Sequence, residues 1–324
     1  MFLHFPIEGC ARGLPRVCPN GPNGAPFKGA VYIADWGYFM KLLSRVDVKR
    51  VFPSMAFLVI LLFSADGLRA DDHTAQRPSA LVMMGSYDTY HMKPEQTEAV
   101  AGLWAGYNQL AAHFSDNAAD FTFENIRKYD VVILFSGLSR EADDREPTRK
   151  ALQNIFRAVE AGTPLLAMHG GFHITTRDGG SEIQEKIGAK YNEASHYPYQ
   201  RFIIELDQSH PITQGVENFQ AQDEPYLLDM TDSNVNILGA YNVKRVAKAS
   251  LLPDPDSPGQ HPTEGNILSH EWAKTHTQAP VLYTREMGRG KIVVNALGHD
   301  EGSLYNPSYR TLMKQSIEWL LDER

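Results

Sequence analysis

"LLAMHGGFH", residues 165–173, decides the fold. Four uncharged apolar residues run straight into His-Gly-Gly-Phe-His, the pattern of a buried strand that meets a tight turn. Upstream, "ALVMMG" (80–85) and "YDVVILFSG" (129–137) read as two more buried strands. Between them lies a long helical pattern, with Val100, Leu103, Trp104, Tyr107, Leu110, Ala111 and Phe114 recurring every three or four residues. A helix from about Pro147 to Ala161 carries Leu152, Ile155, Phe156 and Val159 on one face and is stopped by Gly162, and "EIQEKIG" (182–188) is a short helix. Strands and helices alternating at this spacing predict βαβ units: an α/β fold with a doubly wound, mostly parallel sheet and flanking helices.

The second half is richer in strands. "RFIIEL" (201–206), "VNILGAY" (235–241) and "VLYTREMGRGKIVVNALG" (281–298) qualify, the last as a hairpin turned at Gly288-Arg289-Gly290. "LLPDPDSPGQHPTEGN" (251–266) is a Pro/Asp/Gly-rich loop. The final helix has Asn306 as N-cap, Pro307 at its first position, and a buried stripe of Tyr309, Leu312, Met313, Ser316, Ile317, Leu320 and Leu321.

With 324 residues, 43% of them hydrophobic, the chain is long and apolar enough for one large core, which excludes a disordered protein. A net charge of −8 and scattered lysines and arginines give no basic stripe, which argues against nucleic acid and membrane surfaces as partners. From Met40 the order is basic residues (Lys41, Arg45, Lys49, Arg50), the apolar run Met55 to Phe63, then Ala70 before Asp71-Asp72. That order predicts a signal peptide over 40–70, a linker over 71–78 and one domain over 79–324, hence an exported, periplasmic or secreted protein. The apolar run is too short to span a bilayer, which takes about 20 residues, so no stable membrane insertion is expected. Residues 1–39 then read as a start-site artefact, with a disordered leader as the alternative. Both cysteines, Cys10 and Cys18, lie there, so the mature chain has no thiol for a disulfide, a metal or a nucleophile.

Ligands of a doubly wound sheet sit outside the carboxyl ends of its strands. The residues just after each apolar run are therefore site candidates: Ser86, Tyr87, Asp88, Tyr90 and His91; Ser136 and Gly137; His169, Gly170, Gly171 and His173; and His299, Asp300 and Glu301.

"MHGGFH", "DQSHPITQGV", "DEPYLL", "REMGRGKIVVNALGHD" and "NPSYRTLMKQSIEWLL" together resemble the ThuA-like (trehalose-utilisation) family, over about residues 79–324. The resemblance implies a fold similar to the class I glutamine amidotransferases, itself flavodoxin-like. "AMHGGFH" is similar to their nucleophile elbow, with His169 where the cysteine would stand, Gly171 at the elbow glycine and His173 in place of glutamine. "FSGLS" resembles the oxyanion-hole loop, which points to Gly137, and "GHDE" the end of their triad, which points to His299 and Glu301. Glutamine hydrolysis there needs a cysteine thioester, so amidotransferase activity is not expected. The family implies catabolism of trehalose or related disaccharides and keto-sugars, with a small-molecule carbohydrate as partner.

His169, at a strand-to-helix turn near free backbone N–H groups, and His299 are the expected catalytic acid and base, since imidazole titrates at about 6.5, with Asp300 as the third catalytic residue, the companion acid that orients the His299 ring or helps bind a cation. Tyr87, Asp88, His91, Gly137, Gly170, His173, Glu224 and Glu301 are expected to contact the substrate. Asp223 and Glu224 precede a proline and so sit on an extended segment, where they hydrogen-bond sugar hydroxyls or form a surface acid pair. No cofactor is identified; His169, His173, Glu224 and His299 could hold a divalent metal such as zinc. His210, before Pro211, reads as a structural turn residue. The reaction expected is of hydrolase or lyase type, and a non-catalytic sugar-binding module on the same fold is the alternative.

Overall fold

In chain order the elements are β1 (Ser79–Met83), β2 (Ala111–Ser115), α1 (Phe123–Ile126), β3 (Val131–Leu134), α2 (Glu146–Glu160), β4 (Leu165–Met168) and α3 (His169–Asp178). There follow α4 (Gly180–Ile187), β5 (Ala189–Tyr191), β6 (Gln200–Leu206), β7 (Phe219–Asp223), β8 (Leu228–Met230) and β9 (Asn236–Asn242). The chain closes with α5 (Glu271–Thr275), β10 (Gln278–Met287), β11 (Gly290–Asn295), α6 (Glu301–Leu304) and α7 (Pro307–Leu321). The structure, a computed structural model, describes residues 77–85, 106, 109–138, 145–192, 200–246, 271–299 and 301–322. All of these belong to the second of the chain's two units, His73–Arg324. The expected leader and signal peptide, residues 1–70, and the stretch 251–266, expected as a loop, lie outside the described residues.

Among the described residues the main sheet has 9 strands in the order β2-β1-β3-β4-β11-β10-β9-β6-β7. From β2 to β11 all pairings are parallel, and the order 2-1-3-4 is that of a flavodoxin-like doubly wound sheet. Every residue of β3 and β4 is buried. Neighbouring residues of a strand point to opposite faces, so unbroken burial means that both faces are covered. Helices supply the cover: α2 buries Leu152, Ile155, Phe156 and Val159, and α7 buries Tyr309, Leu312, Met313, Ile317 and Leu320. Asn306 caps α7 as expected, accepting from the Ser308 and Tyr309 amides.

Beyond β11 the sheet continues as an antiparallel arm, β10-β9-β6-β7. Each antiparallel pairing reverses direction, so β9 and β7 run with β4 and β11 and end at the same edge. In a flat sheet, four strand spacings would put β7 about 19 Å from β11. Instead Asp223, the last residue of β7, accepts a hydrogen bond from Gly298 N, three residues past β11, at 2.8 Å. The arm therefore curls back over the parallel half. The register shifts between β10 and β9 around Pro280, Leu282 and Tyr283 provide the bend.

Two readings of the sequence need correction. Ala111 and Phe114, counted as the end of a helix, lie on β2, an edge strand in register with β1. The chain breaks at Gln109, whose φ of 57° is left-handed, and Leu110, Ala111 and Phe114 at positions i, i+1 and i+4 suit either period. Val100, Leu103, Trp104 and Tyr107 lie outside the described residues. The hairpin turn is two residues long, Gly288-Arg289, because Met287 pairs with Gly290. An added Cβ on Gly290 would stand 2.2 Å from the Val159 carbonyl oxygen, so the second glycine of "GRG" serves close packing on α2.

His210 fixes its turn as expected. Its Nδ1 accepts from the Ile212 amide at 3.2 Å, and its carbonyl accepts from the Thr213 and Gln214 amides. Burial lowers its pKa, against the pull of Asp207. In the unfolded chain it protonates at about 6.5, so as pH falls below that value the unfolded state takes up the proton first and stability is lost. The urea midpoint of the wild type should fall more steeply between about pH 7.5 and 5.5 than that of His210→Gln. Equal slopes for the two proteins would contradict this.

Candidate active site at the carboxyl edge of the sheet

The site is assembled from three strand ends. His169 is both the residue after β4 and the first of α3, which follows Met168 without a loop. The close join depends on Gly171, whose amide donates to the Phe135 carbonyl at 3.0 Å. A Cβ there would lie 2.1 Å from the Leu134 carbonyl oxygen, a separation no side chain tolerates. His299 is reached through Gly298, which has φ +120° and whose Cβ would stand 2.8 Å from the Tyr309 hydroxyl. Glu224 follows β7 directly.

The two imidazoles converge. His169 Nε2 lies 3.2 Å from His299 Nδ1, and Glu224 Oε2 lies 3.3 Å from the first nitrogen and 3.0 Å from the second. All three side chains are almost enclosed, at 2%, 3% and 6% exposure for His169, Glu224 and His299. His169 Nδ1 lies 2.8 Å from the Ala296 carbonyl oxygen. A carbonyl only accepts, which assigns the proton to Nδ1 and turns the Nε2 lone pair toward His299 and Glu224. The ring of His169 is fixed further by Tyr226, stacked on it at 4.2 Å between centroids.

Asp223 organises the backbone around this cluster. Its carboxylate accepts from Gly298 N at 2.8 Å, Glu224 N at 2.7 Å and His299 N at 3.3 Å, tying the end of β7 to the loop after β11. Full burial raises its pKa, while His169, the Ser303 hydroxyl, the Gly298 amide and His299 oppose the rise. Asp223 also lines a cavity of about 270 Å³, together with Ala221, Leu297, Ser303 and Tyr309, among others.

The expected site residues are distributed unevenly. His169, His299 and Glu224 come together, and Glu224 lies against the imidazoles rather than in a surface acid pair. His173, four residues along α3, is not part of the cluster: its ring meets Tyr191 at 4.6 Å and Tyr226 at 6.3 Å. Gly170 is the buried second residue of α3, and Gly137 is buried in the loop after β3. Ser136 joins the ends of β1 and β3, with its hydroxyl accepting from Gly85 N at 3.1 Å. Ser86, Tyr87, Asp88, Tyr90, His91 and Asp300 lie outside the described residues, as does the side chain of Glu301, whose backbone begins α6.

The likeness to a nucleophile elbow holds for position and fails for strain. Such an elbow places its nucleophile on a strained turn. Among the described residues the only non-glycine with positive φ is Gln109, so His169 has ordinary backbone. Sequence reasoning missed Tyr226 as the wall of the imidazole and Asp223 as a clamp. Tyr226 stands two residues after Glu224 in the same "DEPYLL" motif, and that proximity was the available signal.

A family model named ThuA and described as trehalose utilisation matches residues 79–320. Among solved structures, a putative ThuA-like protein from Bacteroides uniformis aligns with TM-score 0.53 and 14% identity, over 76% of this chain and 94% of that one. Another from Parabacteroides merdae aligns with TM-score 0.53 and 15% identity, over 76% and 91%. At these identities the structural likeness speaks for the fold, which agrees with a class I glutamine amidotransferase-like architecture. No curated protein matches the sequence.

Proposed function

The chain belongs to the ThuA family, and we propose that it is an exported member acting on a disaccharide or keto-sugar by acid/base chemistry at His169, Glu224 and His299. The observation that carries this reading is the 3.2 Å approach of two imidazole nitrogens beside a carboxylate oxygen, at an edge where α/β sheets bind ligands. Export rests on the order of basic, apolar and small residues from Met40 to Ala70. No helix among the described residues is long and apolar enough to cross a membrane.

Two basic nitrogens sharing a proton next to a carboxylate can give one proton and take another within a single reaction. In hydrolysis, the acid protonates the departing glycosidic oxygen while the base takes a proton from the attacking water. In a lyase-type cleavage of a keto-sugar, the base removes the proton from the carbon beside the carbonyl and the acid protonates the departing oxygen. Glutamine hydrolysis has no support, since an imidazole stands where the thiol would be.

The test is a panel of disaccharides, trehalose first, and their keto derivatives, assayed for product release with the wild-type protein. Turnover of one of them is expected. Saturable binding of a sugar with no product from any member of the panel would replace this reading with a non-catalytic binding module.

A further inference from the structure

We propose that His169, Glu224 and His299 hold one divalent first-row metal ion, zinc by preference. This rests on the reading of the same site as a reactive centre, but atoms that hold an ion cannot at the same time carry the proton, so the metal and the acid/base assignment compete, and metal binding can be measured without reference to any sugar. Among the described residues these three form the group whose ligand atoms come together for a cation, His169 Nε2, Glu224 Oε2 and His299 Nδ1.

The edges of that triangle are 3.0, 3.2 and 3.3 Å. Zinc sits about 2.0–2.1 Å from histidine nitrogen and carboxylate oxygen. An ion at that distance from all three atoms sees them at angles of about 95–107°, between octahedral and tetrahedral and nearer the latter. Three protein ligands in such a pyramid leave one coordination position for a ligand, the arrangement of catalytic rather than structural zinc.

Donor and acceptor matching points the same way. The Ala296 carbonyl takes the Nδ1 proton of His169, so Nε2 brings a lone pair into the triangle, where Glu224 Oε2 brings another. Two lone pairs 3.3 Å apart repel one another, and a cation that also takes the His299 Nδ1 lone pair relieves all three at once. A histidine whose second nitrogen donates to a backbone carbonyl is the usual support for a metal ligand. Tyr226 stacked on His169 and Asp223 bonded to the amides of Glu224 and His299 hold the donors in place before an ion arrives.

The donor set also selects the ion. Two nitrogens and one oxygen suit zinc and its borderline neighbours, whereas calcium and magnesium take six or more oxygens. His173, which spacing alone pairs with His169, faces Tyr191 instead and serves as a control on the same helix.

The full chain, untagged, is stripped with a chelator, reloaded with zinc, desalted, and its metal measured per chain by mass spectrometry. About one zinc is expected in the wild type and in His173→Ala. His299→Ala and Glu224→Gln are expected to bind at least about 100-fold more weakly, beyond the loss caused by removing a supporting partner. Zinc should raise the melting temperature of the wild type and leave that of His299→Ala unchanged, each melting cooperatively. Folded wild type with near-zero zinc after loading, or His299→Ala with undiminished zinc, would overturn the assignment. Near-zero zinc beside sugar turnover in the same protein overturns it and leaves the acid/base reading standing. One zinc per chain without turnover of any sugar supports the metal and removes the acid/base reading.

Discussion

His169→Ala should lower kcat on whichever sugar is turned over by about 10²–10⁴-fold, the range for removing a positioned acid or base. The imidazole cannot be replaced from nearby, because His173 is held in the Tyr191 and Tyr226 contacts and Glu224 already belongs to the same cluster. His299→Ala should cost as much, and the double variant little more than either single one, since groups that act as a unit lose their effect together. Steady-state kinetics beside thermal melts checks this: a melt close to wild type with kcat down at least a hundredfold is the expected pair of results. A variant at either histidine that keeps kcat within about threefold would remove that imidazole from the chemistry.

The second large effect falls on folding. Gly171→Ala would push a methyl to 2.1 Å from the Leu134 carbonyl oxygen and 2.4 Å from its carbon. The strand cannot yield, because β3 is paired on one side with β1 and on the other with β4. The first turn of α3 must lift instead, breaking the bond from Gly171 N to Phe135 O and moving His169. Overpacking against fixed backbone costs on the order of 3 kcal/mol or more, which for a domain of this size is a fall of about 6–12 °C in Tm. Gly180→Ala is the comparison: its methyl meets nothing within 4 Å, although φ there is +74°. It should lose only about 1 kcal/mol, for the left-handed backbone alone. Equal melting temperatures for the two variants would show that α3 can move away from β3 at little cost.

The parallel half of the fold was legible because its strands are short, apolar and buried on both faces, as "LLAMHGGFH" and "YDVVILFSG" display. β2 was not, since "AAHFS" is held by backbone pairing to β1 and its side chains fit a helical spacing equally well. β7 was missed for a related reason: "FQAQD" has only Phe219 and Ala221 to mark an inner face. Of the site, the two histidines could be read from their positions after strands, and Glu224 from its motif as a sugar contact or metal ligand. What joins it to them is the curl of the antiparallel arm, produced by register shifts between β9 and β10 that no local pattern announces. Asp223 reads in the sequence as a ligand for sugar hydroxyls or as one half of a surface acid pair, whereas in the fold it is wholly buried and bonded to three backbone amides. No short-range pattern could reveal that, because two of those amides lie 75 and 76 residues away.

The span between His169 and His299, 130 residues, also constrains when the cluster can form during the protein's own synthesis. A chain still emerging from the ribosome and ending before β11 holds one imidazole without its partner, and Asp223 without the amides of Gly298 and His299. Translation must pass that point before the cluster can assemble, so a chain cut short before β11 cannot form it.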